Sequence, residues 1–513
     1  MRLAVLTVLA LAPLLAAQPP QAQEAALRAH LAFLADDLLE GRGTGQRGGA
    51  LAVRYLEAQL QALGLEPANG TSYRQTVRLA GLRVDPDQTA LTFTGTRSLT
   101  LALGTELVVG AGSARATLPV SAPLVFVGHG IFAQDGSRDD YKGFEAKGKI
   151  LVMLVGDRPG ETPGPPCCQA ESYYGRWTYK FEEAQRRGAA GVLLIHTPDS
   201  AGYGWAVVQN GWRGERFQLA ETGREGGLQG WLSLGAAQRL FAAGGRDLAE
   251  LRRLAEGQDF RPVALGVQAQ GQVRTVVRNL DQWNVAGVVR GSDPLLRDEL
   301  VMFSAHWDHF GMGPGPHPAI FHGAVDNASG CGGVLAIAQA LAAHPPKRSL
   351  MFFFPCGEEQ GLLGSVAYVQ APLWPLAKTA LVINLESLNF AGPTRDIGVM
   401  GLLNPALQGL CEEAGKRVAL TLAPPKPDPA GLCFRADHYP FAKAGVQAVS
   451  PGFSLDGGWD FLGDKAATQA RAAAFLGRYH QPTDAYDPAW DLRGMLQQIQ
   501  FSLELGLLAG NRP

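Results

Sequence analysis

Three segments of this chain, Glu299–Ser304, Arg348–Phe354 and Ala380–Asn384, carry runs of consecutive apolar residues with no polar alternation, and helical patterns separate them. A strand that is apolar at every position must be covered on both faces, because its side chains point alternately to opposite sides of the sheet. Strands of that kind alternating with helices predict an α/β sheet with helices on its faces. In such sheets the reactive loops lie beyond the carboxyl ends of the strands. His306 and Asp308 follow the first run, Glu358 and Glu359 the second, and Glu386 the third.

The rest of the chain reads differently. At 513 residues it exceeds one ordinary core, so two globular units are expected, one interrupting the other. Apolar residues recur at helical spacing over Glu24–Leu39 and Gln46–Leu63, with Gly64 as a stop signal. From about Val77 the pattern turns to short β-rich runs, among them Ala90–Phe93, Leu124–Val127 and Lys149–Val155. A Pro/Gly-rich loop through Pro166, a helical stretch Lys180–Arg187 and a strand Gly191–Ile195 follow. The expected division is 1–22 as a leader, 23–80 and 278–513 as two parts of one domain, and 81–277 as a β-rich insert.

Met1-Arg2 followed by the apolar run Leu3–Ala17 and then by small residues and prolines has the layout of a secretory signal, and the run is short for a bilayer. Export to the periplasm or the medium is expected, with cleavage between Ala17 and Gln23. No later stretch is long and apolar enough to cross a membrane, so no integral segment is expected after signal removal. The formal net charge of −2, with no local Lys/Arg cluster, offers no field for a phosphate backbone, so nucleic acid is not an expected partner. Six cysteines without a CxxC pair argue against a structural zinc site and leave disulfide pairing open.

Each chemical motif has an ordinary reading beside a functional one. In Ser304-Ala305-His306-Trp307-Asp308-His309, His306 can ligate a metal while Asp308 fixes its other ring nitrogen, or the segment can be a hydrogen-bonded turn. Asp326, in Gly323-Ala324-Val325-Asp326-Asn327-Ala328-Ser329-Gly330, can be an N-cap, but glycine on both sides suits backbone folded around a ligand. Glu358 and Glu359 leave a buried strand side by side, which is costly unless a cation is near. One of them can hold a metal while the other takes a proton. Glu386 can cap a helix, and His480 in Arg478-Tyr479-His480-Gln481-Pro482-Thr483-Asp484 can be a turn histidine. Together, oxygen and imidazole donors without thiolate suit a hydrolytic zinc pair sharing one carboxylate.

In this order the motifs resemble metallopeptidase family twenty-eight, the co-catalytic two-zinc aminopeptidases, and within it the bacterial exported branch with an inserted protease-associated domain. Phe126–Gly130 and Asp140–Lys149 resemble that insert. The resemblance implies a mixed-sheet α/β zinc-peptidase domain with flanking helices, phosphorylase/hydrolase-like, interrupted by the β-rich domain. It implies two zinc ions per chain with Asp326 bridging, His306 and His480 on one ion, and Glu359 and Glu386 on the other. It makes Glu358 the base that deprotonates the zinc-bound water and Asp308 the residue that orients His306. The family usually has Asp at the place of Glu386, so the longer arm is a departure. Arg435-Ala436-Asp437-His438-Tyr439 resembles a Ser-Asp-His motif near the substrate pocket, which places Asp437, His438 and Tyr439 there in a supporting role.

The activity so implied is aminopeptidase cleavage of peptide substrates. A carboxypeptidase or dipeptidase on the same scaffold remains open, disfavoured by the lack of a dense arginine patch to grip a C-terminal acidic residue. A receptor-like binding protein would have lost ligands, and a one-zinc glutaminyl cyclase would keep fewer. The order of the motifs leaves the preferred N-terminal residue, the oligomeric state and the role of the insert open.

Overall fold

The computed structural model describes residues 20–512 apart from 134–135, 157–172, 198–203, 221–225, 314–317, 402–403, 425–430 and 453–458. The leader up to Pro19, the proline-rich loop through Pro166, and Cys167 with Cys168 lie outside the described residues.

Two helices open the described chain, α1 (Glu24–Leu34) and α2 (Arg47–Ala62). The expected first helix ran to Leu39, yet it stops five residues earlier. The Asp36 carboxylate accepts from the Leu38 amide at 2.8 Å and starts a tight turn over Asp37–Arg42, in which Glu40 and Gly41 have positive φ. Gly41 is needed there, because a Cβ would lie 2.2 Å from the Phe321 carbonyl oxygen. The turn carries Arg42 beneath the end of the central sheet.

Strand β1 (Arg74–Val84) pairs antiparallel with β2 (Val263–Val289), from Arg74↔Val285 to Val84↔Thr275. The first part of β2 pairs with Ala90–Thr94 and Thr117–Phe126, while residues 285–289 pair with β4 (defined below as Ser349–Phe354). One continuous strand therefore joins two cores. The polypeptide between β1 and β2 has its own sheet, with Ile150–Leu154 and Gly191–Ile195 parallel at its centre. One of its faces packs Phe126, Val152, Leu193 and Phe241, and the other packs Leu151, Met153, Leu194 and Trp231.

The remaining strands are β3 (Leu300–Ser304), β4 (Ser349–Phe354), β5 (Thr379–Asn384) and β6 (Ala448–Gly452). Across the sheet they run β2, β4, β3, β5, β6, with the last four mutually parallel. Side chains alternate as the apolar runs require. Val301, Phe303, Phe352 and Ile383 pack on one face with α1, α2, α3 (Gly330–Leu341) and the C-terminal helix Arg493–Asn511. Met302, Phe353 and Val382 pack on the other against Tyr368 of α4 (Leu363–Gln370) and Phe441 of α5 (His438–Lys443). Each fully buried Phe or Met contributes about 1.5–3 kcal/mol, so neither face can be turned to water. The chain leaves β3 for β4 on one side and then crosses to β5 on the other. The crevice at the carboxyl ends of these strands is the topological switch point of the sheet. No helix of the described residues is long and apolar enough to cross a membrane.

Candidate metal centre and substrate cavity

The loops beyond β3, β4 and β5 bring His306, Glu358, Glu359 and Glu386 into that crevice, and the loops before α3 and after residue 477 bring in Asp326 and His480. Asp326 is not a helix cap. It lies in a wide turn over Ala324–Ser329 with extended backbone (φ −109°, ψ 91°), and its peptide to Asn327 is cis. Asn327 anchors that turn, donating to Leu385 O at 3.0 Å and accepting from the Gly330 amide at 3.0 Å. Gly323 approaches so closely that a Cβ would lie 2.6 Å from the His309 ring.

Asp326 stands between two half-sites. Its Oδ1 is 3.3 Å from His306 Nε2, and Glu386 Oε1 is 3.7 Å from the same nitrogen. Its Oδ2 is 3.4 Å from His480 Nε2, which is 3.2 Å from Glu359 Oε2. His480 is held between Tyr479, stacked at 3.7 Å, and Phe310 at 4.6 Å. Glu386 Oε2 accepts from Asn384 Nδ2 at 2.9 Å, so its longer arm still delivers Oε1 to the His306 side.

The cluster is built for positive charge. Burial pushes His306 down, but Glu358, Asp326 and Glu386 outweigh it and hold the imidazole well above its ordinary range. Burial likewise opposes charge on His480, yet Glu359 and Asp326 raise it to about 9. Glu359 is pushed up by burial and held at about 2 by His480 and His309. His306 Nε2 and Asp326 Oδ1 are buried without a hydrogen-bond partner. A buried polar atom left so is costly, and a cation ligated by both removes the cost. Imidazole and carboxylate donors close enough to hold a cation meet at Asp326, His306 with Glu386 and His309 with Glu359, and donors of this kind suit zinc.

Residues 284–503 match the family model described as Peptidase family M28. That stretch, 220 of the 513 residues, resembles the family and holds every candidate ligand. Leucine aminopeptidase 2 of Trichophyton equinum is 32% identical over 128 residues, which is 24% of this chain and 24% of that protein. A vacuolar membrane protease of Verticillium alfalfae is 34% identical over 94 residues, 18% of this chain and 8% of that protein. The match thus spans about a quarter or less of the curated relatives' length. Among solved structures, an aminopeptidase from Aneurinibacillus sp. strain AM-1 shares the fold, with a TM-score of 0.55 at 18% identity, over 96% of this chain and 95% of that one.

Within the site the structure regroups the expected residues. His306 lies with Glu386 and His480 with Glu359, not the two histidines together, because Asp326 separates them and presents one oxygen to each. Asp308 serves His306 through its backbone carbonyl, 3.1 Å from Nδ1. Its buried carboxylate instead accepts from the Glu358 amide at 3.2 Å and Thr44 Oγ1 at 3.0 Å, so it fixes the Glu358 loop. Asp437 and His438 are buried behind the site at the start of α5, with Asp437 accepting from Ser365 Oγ at 2.6 Å; of the three expected pocket residues only Tyr439 reaches the cavity wall. Burial raises Asp437 to about 7.

Three residues of the site carry no role expected from the motifs. His309 Nδ1 is 2.6 Å from Glu359 Oε1 and steadies that carboxylate. Asp484 accepts from the Val325 and Asp326 amides at 3.0 and 3.1 Å and holds the bridging turn. Arg42, fully buried, donates to the carbonyls of Leu34, Trp307, His322 and Gly323, tying the N-terminal turn to both metal loops. His309 and Asp484 stand inside the quoted motifs and were readable as further titratable groups. Nothing local marks Arg42, three of whose four carbonyl partners lie 265 to 281 residues away in sequence.

The candidate centre opens into a cavity of about 570 Å³. Glu358, Glu359, Phe310, Tyr479 and His480 form its inner end, while Trp177, Trp212, Arg216 and Trp231 of the inserted unit form an outer wall. Arg176, Arg435 and Lys443 also border it. These residues are scattered in sequence and converge on the cavity only on folding. No disulfide joins the described Cys331, Cys356, Cys411 and Cys433.

Proposed function

We propose that this chain is an aminopeptidase, a zinc-dependent exopeptidase that removes N-terminal residues from peptides with two zinc ions. The observation that carries the reading is the position of Asp326, whose two oxygens face separate histidine–glutamate pairs. His306, Asp326 and Glu386 would hold one ion, and His480, Asp326 and Glu359 the other. Zinc bound there would polarise the scissile carbonyl and acidify water.

The chain's own groups supply the proton traffic. Burial, with Glu386 and Glu359 adding to it, pushes the Glu358 carboxyl well above the usual range, so it can carry a proton near neutrality. Glu358 takes a proton from the attacking water and returns it to the leaving amine. Asp308 keeps its backbone in place through the 3.2 Å amide contact. The carboxylates of the site and nearby backbone carbonyls accept from the free amine of the substrate. Export is proposed from the leader-like run Leu3–Ala17, and a protease-associated identity for the insert from Phe126–Gly130 and Asp140–Lys149.

The cationic residues on the cavity wall favour a second reading, a carboxypeptidase or dipeptidase. One measurement tests the metal pair and a second separates the two readings. Metal analysis of washed, zinc-replete protein is expected to give two ions per chain, and one or none refutes the pair. N-acetylation of a cleaved peptide is expected to abolish most hydrolysis, and retention of activity assigns the chain to the carboxypeptidase reading.

A further inference from the structure

The outer cavity wall holds a cation with no counter-ion. Arg216 lies on the short strand Arg216–Leu219, paired antiparallel with β1 through Leu82. Its guanidinium sits 3.5 Å from the centre of the Trp212 ring. Among the described residues no carboxylate pairs with it and no side-chain hydrogen bond satisfies it. The neighbouring Glu215 is taken by Arg278, at 2.6 and 2.7 Å. Glu182, on the same cavity, accepts from the Tyr173 hydroxyl at 2.7 Å. Burial pushes Arg216 down to about 10, with no nearby anion opposing it.

A second group on the same wall is also unsatisfied. Trp231 is 2% exposed, and its Nε1 is buried with no acceptor among the described residues. Desolvating a guanidinium and an indole N–H without partners costs free energy that a ligand bearing acceptors would recover. A guanidinium stacked on an indole and presenting a planar fork of donors matches a carboxylate. The cavity falls within the size of small-ligand sites, and its inner end is the metal centre.

We propose that Arg216, backed by Trp212 and joined by Trp231 Nε1, is an anion subsite that receives a carboxylate of the bound peptide, either its C-terminus when the peptide is short or an acidic side chain. The inference rests on the peptidase reading above and gives the inserted unit a part in substrate selection. With the free amine at the metal centre and a carboxylate at Arg216, the cavity measures peptide length.

The test compares Leu-Ala peptides extended by successive alanines, each as the free acid and as the C-terminal amide, with a parallel amide series carrying one glutamate at each position. In the wild type, one length of acid should exceed its amide in kcat/KM by about tenfold or more, the effect of one charge-assisted pair. In Arg216→Gln the ratio should fall to near one, and Trp231→Phe, which keeps the ring, should lower it part of the way. A ratio is insensitive to the fraction of enzyme folded. Preference for a glutamate-bearing amide that is lost in Arg216→Gln sustains the subsite and names the side chain as its ligand. Ratios unchanged by Arg216→Gln and Trp231→Phe in both series overturn it. If the wild type cleaves neither acids nor amides, the peptidase reading fails, and calorimetric binding of the same acid and amide to wild type and Trp231→Phe decides the subsite by itself.

Discussion

Replacing Asp484 tests whether the bridging turn is held from behind. Asp484 is 1% exposed and accepts from two backbone amides, Val325 at 3.0 Å and Asp326 at 3.1 Å. Asp484→Ala strands both donors in the interior, and at about 1–3 kcal/mol each the loss is about 2–6 kcal/mol. Asp484→Asn keeps one acceptor oxygen and the shape but loses the charge, for a cost of about 1.5–3 kcal/mol. The turn also sets where the two oxygens of Asp326 point, so metal affinity should fall by roughly 10–100-fold, the usual effect of removing a residue that orients a ligand. That corresponds to about 1.4–2.7 kcal/mol less zinc-induced stabilisation per ion. Urea denaturation of wild type and Asp484→Asn, in chelator and again in excess zinc, reads both quantities. A variant with wild-type stability in chelator and the full zinc increment would show that the turn holds its shape without Asp484, and the argument would be wrong.

Other residues give independent checks. Glu358→Gln is expected to retain zinc while losing turnover by several orders of magnitude, whereas Glu359→Gln loses affinity for one ion; equal metal loss in both would contradict the division of roles. Arg42→Lys cannot reach four carbonyls with one ammonium and should cost about 2–4 kcal/mol in chemical denaturation, with no change counting against the staple. His30, buried against Tyr55 Oη at 2.8 Å, has its pKa lowered by burial from 6.5 to about 4. Its stabilising contribution is therefore complete above about pH 6.5 and is lost as pH falls towards 4, to a total of about 3 kcal/mol. His30→Leu should lose correspondingly less stability over that interval, and parallel pH profiles for the two proteins would refute the assignment.

What the sequence alone determined follows from local rules. Strands β3, β4 and β5 were readable because residues apolar at every position leave a parallel strand no solvent face, and their loops were readable because chemistry in such sheets lies at the carboxyl ends. His306, Asp326, Glu358, Glu359, Glu386 and His480 stand on those loops or converge on them, so the list of candidate site residues needed only order and residue type. Which histidine lies beside which glutamate was not readable, since it depends on how the Asp326 turn faces the sheet, and Asp484 and Asn327 set that from distant positions. The backbone carbonyl of Asp308, not its carboxylate, meets His306, because the carboxylate is drawn to the Glu358 amide of the adjacent strand's loop. Arg42 and Arg216 look like ordinary surface arginines in sequence. Only tertiary structure decides that one is sealed under the site loops by four carbonyls and that the other, on the polypeptide between β1 and β2, faces the cavity with no counter-ion among the described residues, because desolvation and pairing belong to the assembled surroundings and not to the residue.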